Sequence, residues 1–221
     1  MSVTAFIFDI DGTMIDSMRF HERSWDVFLT SRGVPTVGTD FFRRTAGRTG
    51  VEVMRELFGP LSDGDAHAFV REKEAIYREL FAPEFREIAG FTAFAREAKA
   101  AGVLLACATA GEPDNIAFAL AGLSLQGFFD AAVGAHDVAH GKPEPDLFLL
   151  AAARIGAEPR DCLVFEDAPL GIEAARRAGM RAVAIASTVP ADELGAPAHV
   201  VARAKDFTTL DPRVLAAGLP A

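Results

Sequence analysis

The sequence predicts an α/β protein: a doubly wound, Rossmann-like parallel sheet with an α-helical unit inserted after its first strand. Three observations predict it. Six short apolar runs, TAFIFDI, VLLACAT, AAVGA, CLVFED, RAVAIA and HVVA, read as strands, and several are apolar at nearly every position. That is the pattern of a parallel strand covered on both faces. From about residue 86 onward the runs alternate with helical segments, which is the rhythm of a doubly wound sheet. Residues 17–85 contain no convincing strand and only helical patterns.

Taken in order, the first run reaches Asp9 and leads into the helical stretch. SMRFHERSWDVFLTSRG, TDFFRRTAG, GVEVMRELFG and DGDAHAFVREKEAIYRELF are amphipathic there, punctuated by glycines and Pro35. They are read as a cap of residues 17–85, leaving 1–16 and 86–221 as the core. The segment FVREKEAIYREL carries charges of both signs at i,i+4 spacing and reads mostly as a solvated face. In the core the helices are GFTAFAREAKAAG, PDNIAFALAGL, PDLFLLAAARIG and APLGIEAARRAG. Three of them end at a glycine, Gly102, Gly156 or Gly179, a common helix stop. DPRVLAAGLPA reads as a short last helix.

The bulk properties narrow the function classes. The chain has 221 residues, enough for one α/β domain with a modest insert. Its 22 basic and 31 acidic residues give a net charge of −9. Such a protein has no general attraction for nucleic acid or an anionic membrane. Any phosphate must be held by local groups. No apolar run approaches the ~20 residues of a membrane span, and no basic leader precedes the first strand, so a cytoplasmic protein is expected. Cys107 and Cys162 lie inside apolar runs and read as reduced core thiols.

The strand ends carry the chemistry. Ligands of open parallel sheets bind outside the carboxyl ends of the strands. The first strand ends in Asp9, then Asp11-Gly12-Thr13; the second in Thr109, then Ala110-Gly111; another in Glu166-Asp167; and HGKPEPD brings Lys142. Four acids, a hydroxyl and an ammonium are thus predicted on one sheet edge. Acids from separate strands can share a hard cation such as Mg²⁺, and a carboxylate can attack phosphorus. Lys142, the Thr109 hydroxyl and the N–H groups of Ala110 and Gly111 suit a phosphoryl group. Pro113 suits the first turn of a helix aimed at the same place. Taken singly, Thr109 reads equally well as a helix cap, and Glu166 as a metal ligand or as an orienting group. His21 and Trp25 share one helix face. No dinucleotide loop, P-loop, HExxH or GxSxG elbow is present.

With these motifs in hand, the chain resembles the haloacid dehalogenase superfamily. The match is Asp9-Ile10-Asp11-Gly12-Thr13, then Thr109, Lys142 in GKPEPD, and Glu166-Asp167 in FEDAPLGIEAARRAG. DGTMIDSMRFHERSW, with Asp16, Ser17, His21 and Trp25, is similar to the β-phosphoglucomutase-like subgroup with its α-helical cap. The resemblance implies Asp9 as nucleophile and Mg²⁺ ligand. It implies Asp11 as general acid and then base, with its backbone carbonyl on the metal. Thr109, Ala110 and Lys142 hold phosphoryl oxygens, and Asp167, with Glu166, completes the metal site. The acid at position 11 favours transfer from an oxygen ester. His21, Arg48 and Lys73 of the cap are the candidates for leaving-group contact. The expected activity is a Mg²⁺-dependent phosphatase acting on a small phosphorylated metabolite, a sugar phosphate above all. The alternatives are a phosphoryl-transfer mutase and a phospho-accepting regulator. In the mutases an arginine follows a glycine by three residues; here Gly50 falls at that place in Gly47-Arg48-Thr49-Gly50, while Lys73 resembles the mutase's cap lysine.

Overall fold

The apolar run that begins the chain becomes β1 (Ala5–Phe8), all four residues of it buried. In this computed structural model, residues 3–218 are described apart from 37, 39, 40, 42–44, 46, 191 and 196. Five further strands follow: β2 (Leu104–Ala108), β3 (Ala131–Val133), β4 (Cys162–Glu166), β5 (Arg181–Ile185) and β6 (Val200–Ala204). They form one sheet in the order β3-β2-β1-β4-β5-β6, every pairing parallel. All six predicted strand runs are strands.

Side chains alternate across a strand, and β1 shows what each face is for. Phe6 and Phe8 point to one side, into a cluster with Phe91, Phe94, Phe165 and Phe207. Ala5 and Ile7 point to the other, among small residues such as Ala151, Ala174 and Ala184. The first face meets α4 (Phe91–Ala100) and α8 (Pro212–Ala217); the second meets α6 (Asp146–Arg154) and α7 (Pro169–Arg177). α5 (Pro113–Gly122) follows β2 and adds Ile116 and Ala119 to the aromatic side. Phe8 stacks on Phe165 at 4.6 Å between ring centroids and meets Phe91 edge-on at 5.4 Å. Phe8→Ala therefore leaves a void among rings that cannot all close in. A loss of about 3–5 kcal/mol is expected in urea denaturation.

Between β1 and α4 the chain makes α1 (Met18–Thr30), α2 (Gly50–Phe58) and α3 (Asp63–Phe81). Their apolar faces close on a separate cluster that includes Trp25, Phe28, Val53, Met54 and Val70. Thr49 caps α2 reciprocally with Glu52, and Ser62 caps α3 through Asp65 N. Most of the segment TDFFRRTAG lies outside the described residues; Phe41 joins the helical cluster. The two connections between helices and sheet run side by side, with Asp16 N donating to Arg86 O at 3.1 Å and Ile88 N to Met14 O at 2.9 Å. Cys107 and Cys162 are free and buried. No helix among the described residues is long and apolar enough to cross a membrane.

Candidate active site

Register sets the site. Phe8 pairs with Cys107 on β2 and with Phe165 on β4. The next residues, Asp9 on one strand and Glu166-Asp167 on its neighbour, therefore leave the sheet side by side, with Thr109 on the other flank. The chain turns sharply at Gly12, whose φ is +79°. A Cβ there would also lie 2.1 Å from Asp167 Oδ2, so both backbone and space require glycine. Thr13 then donates its hydroxyl to Asp167 Oδ1 at 3.1 Å. Gly171, in the first turn of α7, allows the same close approach to Glu166, since a Cβ there would sit 1.8 Å from Oε1.

Lys142 reaches in from the loop before α6. Its ammonium, 1 % exposed, donates to Asp9 Oδ1 at 2.5 Å and to Glu166 Oε1. Glu166 Oε2 accepts from Ala168 N at 2.8 Å, so both of its oxygens are engaged. Asp167 Oδ2 is buried without a hydrogen-bond partner. One ammonium thus stands among three buried carboxylates and bonds to two of them, and the shifts follow. Burial would lower Lys142, but Asp9 and Glu166 hold it above its ordinary value. Burial pushes Asp9 well up; Lys142 opposes this, and Glu166 and Asp167 add to it. Burial and Glu166 together push Asp167 up to about 7. Positive charge is in deficit there.

Asp11 faces the helices instead. Its Oδ1 accepts from Ser17 at 2.7 Å and from Tyr77 at 3.1 Å, and lies 3.0 Å from His21 Nε2. Burial alone would raise this carboxyl. The His21 imidazole beside it, with the hydrogen bonds from His21, Ser17 and Tyr77, brings it down to about 2. On its far side His21 Nδ1 lies 2.8 Å from Lys73 Nζ. An ammonium can only donate, so Nδ1 accepts, and Nε2 carries the hydrogen offered to Asp11.

A cavity of about 130 Å³ opens between the sheet edge and the helices. All ten residues singled out from the sequence line it: Asp9, Asp11, Thr109, Ala110, Lys142, Glu166 and Asp167 from the core, His21, Arg48 and Lys73 from the helices. Thr109 is not a helix cap. Glu112 is the N-cap of α5, Pro113 opens that helix, and the Thr109 hydroxyl accepts from Gly111 N at 3.1 Å. Arg48 is ion-paired with Glu56 at 2.6 Å. The solvated reading of α3 fails at two positions, because Lys73 is 2 % exposed and Glu74 also lines the cavity. Glu74 and Asn115 were invisible to sequence reasoning.

Among the described residues, no three acidic, histidine or cysteine side chains are already gathered into a metal-ligating group. The donor set nevertheless suits a hard cation. It is made of oxygens, it lacks positive charge, and one buried carboxylate oxygen of Asp167 has no partner.

Known proteins resemble the chain over most of its length. Residues 3–179 match the model of the haloacid dehalogenase-like hydrolases. The chain is 36% identical over 182 residues to the fructose-1-phosphate phosphatase of Escherichia coli (strain K12), covering 80% of this chain and 93% of that protein. It is 31% identical over 195 residues to hexitol phosphatase A of the same organism, covering 87% and 86%. A crystal structure of a hydrolase from Pseudomonas syringae matches with a TM-score of 0.80 and 29% identity, over 96% of each chain.

Proposed function

The chain belongs to the haloacid dehalogenase-like hydrolases, and from that membership we propose a Mg²⁺-dependent phosphatase of a small sugar or sugar-alcohol phosphate, working through an aspartyl-phosphate on Asp9. One observation carries the reading. Asp9 leaves the central strand into a cavity where a buried ammonium already holds its Oδ1 at 2.5 Å. The relatives named for fructose 1-phosphate and hexitol phosphates supply the substrate class.

In this reading Asp9 attacks phosphorus as the ester oxygen departs. Lys142, the Thr109 hydroxyl and the Ala110 N–H hold the phosphoryl oxygens. Asp11 gives a proton to the leaving oxygen. It then takes one from the water that attacks the phosphoryl group, which frees Asp9 and releases phosphate. Asp11 is ionised where it stands, so it must gain a proton from solvent or from the substrate's phosphate monoanion before the first step, while the neutral His21 orients it through the Nε2–H hydrogen bond at 3.0 Å. Asp9, Asp167 and the Asp11 carbonyl would hold Mg²⁺, while Glu166 orients Lys142. Bound there, the ion neutralises charge on the carboxylates and on the group in transfer. Residues 17–85 act as the cap, which excludes water and contacts the leaving group.

Purified protein should release inorganic phosphate from fructose 1-phosphate or a hexitol phosphate when Mg²⁺ is present, and excess EDTA should stop it. From β-glucose 1-phosphate with a trace of bisphosphate it should yield free phosphate; glucose 6-phosphate would instead identify a mutase. No phosphate from any phosphorylated metabolite would contradict the proposal and favour the regulator.

A further inference from the structure

Glu74 is a carboxylate that the proposed chemistry does not use, yet it lines the same cavity as Asp9 and Asp11. From the geometry around it we infer that Glu74 determines specificity: it selects an uncharged, hydroxyl-bearing leaving group and excludes one that carries a second anionic group. The inference rests on the reading of the cavity as a phosphatase site.

Its position is fixed from two sides. Oε1 accepts from Lys73 Nζ at 3.0 Å on the same helix. Oε2 accepts from Asn115 Nδ2 at 2.7 Å, on α5 of the core. The Asn115 amide cannot flip without loss, because Arg78 donates to its Oδ1 at 2.7 Å. Burial would raise the Glu74 carboxyl, but Lys73, His21 and the Asn115 hydrogen bond bring it below its ordinary value, so it is ionised. A carboxylate has about four acceptor positions. The two bonds above leave acceptor capacity for a sugar hydroxyl.

An anion would find the opposite. The cationic side chains lining the cavity are Arg48, Lys73 and Lys142, among the described residues. Each is already engaged with a carboxylate: Arg48 with Glu56, Lys73 with Glu74, and Lys142 with Asp9 and Glu166. A carboxylate or second phosphate on the leaving group would lose its water and meet the negative charge of Glu74, while the cations around it already have their charge balanced by carboxylates. Discrimination of this kind comes from the repulsive element as much as from the attractive one.

The test compares two six-carbon substrates that differ at one end, glucitol 6-phosphate, which ends in CH₂OH, and 6-phosphogluconate, which ends in a carboxylate. Wild-type protein with Mg²⁺ should show kcat/KM at least about tenfold higher for the first. Glu74→Gln should shrink that preference about tenfold, and Glu74→Asp, which keeps the charge, should largely retain it. Should the Gln variant fail a thermal-melt check for folding, Glu74→Ala takes its place, and the wild-type ratio stands without any variant. Equal or reversed wild-type efficiencies overturn the inference, and so does a preference that survives loss of the charge. Hydrolysis of p-nitrophenyl phosphate with neither sugar derivative accepted overturns it too. If none of the three esters is hydrolysed, the phosphatase reading itself has failed, and that outcome is distinct from the others.

Discussion

Asp9→Asn should abolish turnover, by at least about 10⁴-fold in kcat, and leave the chain folded. An amide oxygen is too weak a nucleophile to attack phosphorus, and no other carboxylate stands in its place on the central strand. Glu166 has both oxygens engaged, Asp167 is tied to Thr13, and Asp11 faces the helices. The fold should not suffer, because Asn has the shape of Asp and this acid is one of three around a single ammonium. The sign of the stability change can be worked out. The folded protein raises the Asp9 carboxyl, so the folded state holds its proton more tightly than the unfolded chain does. Such a group lowers stability as pH rises above the ordinary Asp value of about 3.9. Without metal, Asp9→Asn should therefore melt no lower than wild type at pH 7. Adding Mg²⁺ should raise the wild-type midpoint more than the variant's. Steady-state assays and thermal melts with and without EDTA check both statements.

The second large effect belongs to Lys142. Lys142→Met should inactivate the protein and also destabilise it by about 3–5 kcal/mol at pH 7, since removing one partner strands the others in the interior. The ammonium is 1 % exposed and holds two carboxylates that are themselves buried. Its contribution has a definite pH window. The folded state raises the Lys142 value, so the stabilisation is fully present below the ordinary lysine value of about 10.4 and is lost as pH rises beyond it. Acidification acts through the partner: once Asp9 is protonated, it no longer needs the ammonium. The gap between wild type and Lys142→Met should therefore narrow as pH falls toward 4. Urea denaturation at pH 7 and at pH 4–5 measures it, and a gap that widens on acidification would contradict the assignment.

The sheet was legible because its strands are continuous apolar runs, and the acids were legible because they interrupt those runs at one edge. The helical side was less so, for reasons that can be named. Ser17 occupies the N-cap position of α1 but makes no cap bond; its hydroxyl goes to Asp11 instead. Glu74 sits in a helix of alternating charges, where only docking onto Asn115 of α5 decides that it is inside. Asn115 itself looks like any polar residue in a first helical turn. Three-residue turns such as Ala135–Asp137 and Phe207–Thr209 are too short to show a period. Gly12 was part of the motif, but its need for positive φ and for space beside Asp167 became visible only in three dimensions.

The central claim is that the Asp9 carboxylate itself receives the phosphoryl group. An Asp11→Asn variant turning over p-nitrophenyl phosphate, whose leaving group needs no proton, can be quenched in acid, digested and analysed by mass spectrometry. The account predicts a phosphoryl group on the peptide that contains Asp9, and its loss in the Asp9→Asn, Asp11→Asn double variant. Turnover with Asp9 unmodified, or with the phosphoryl group on another residue, would contradict it.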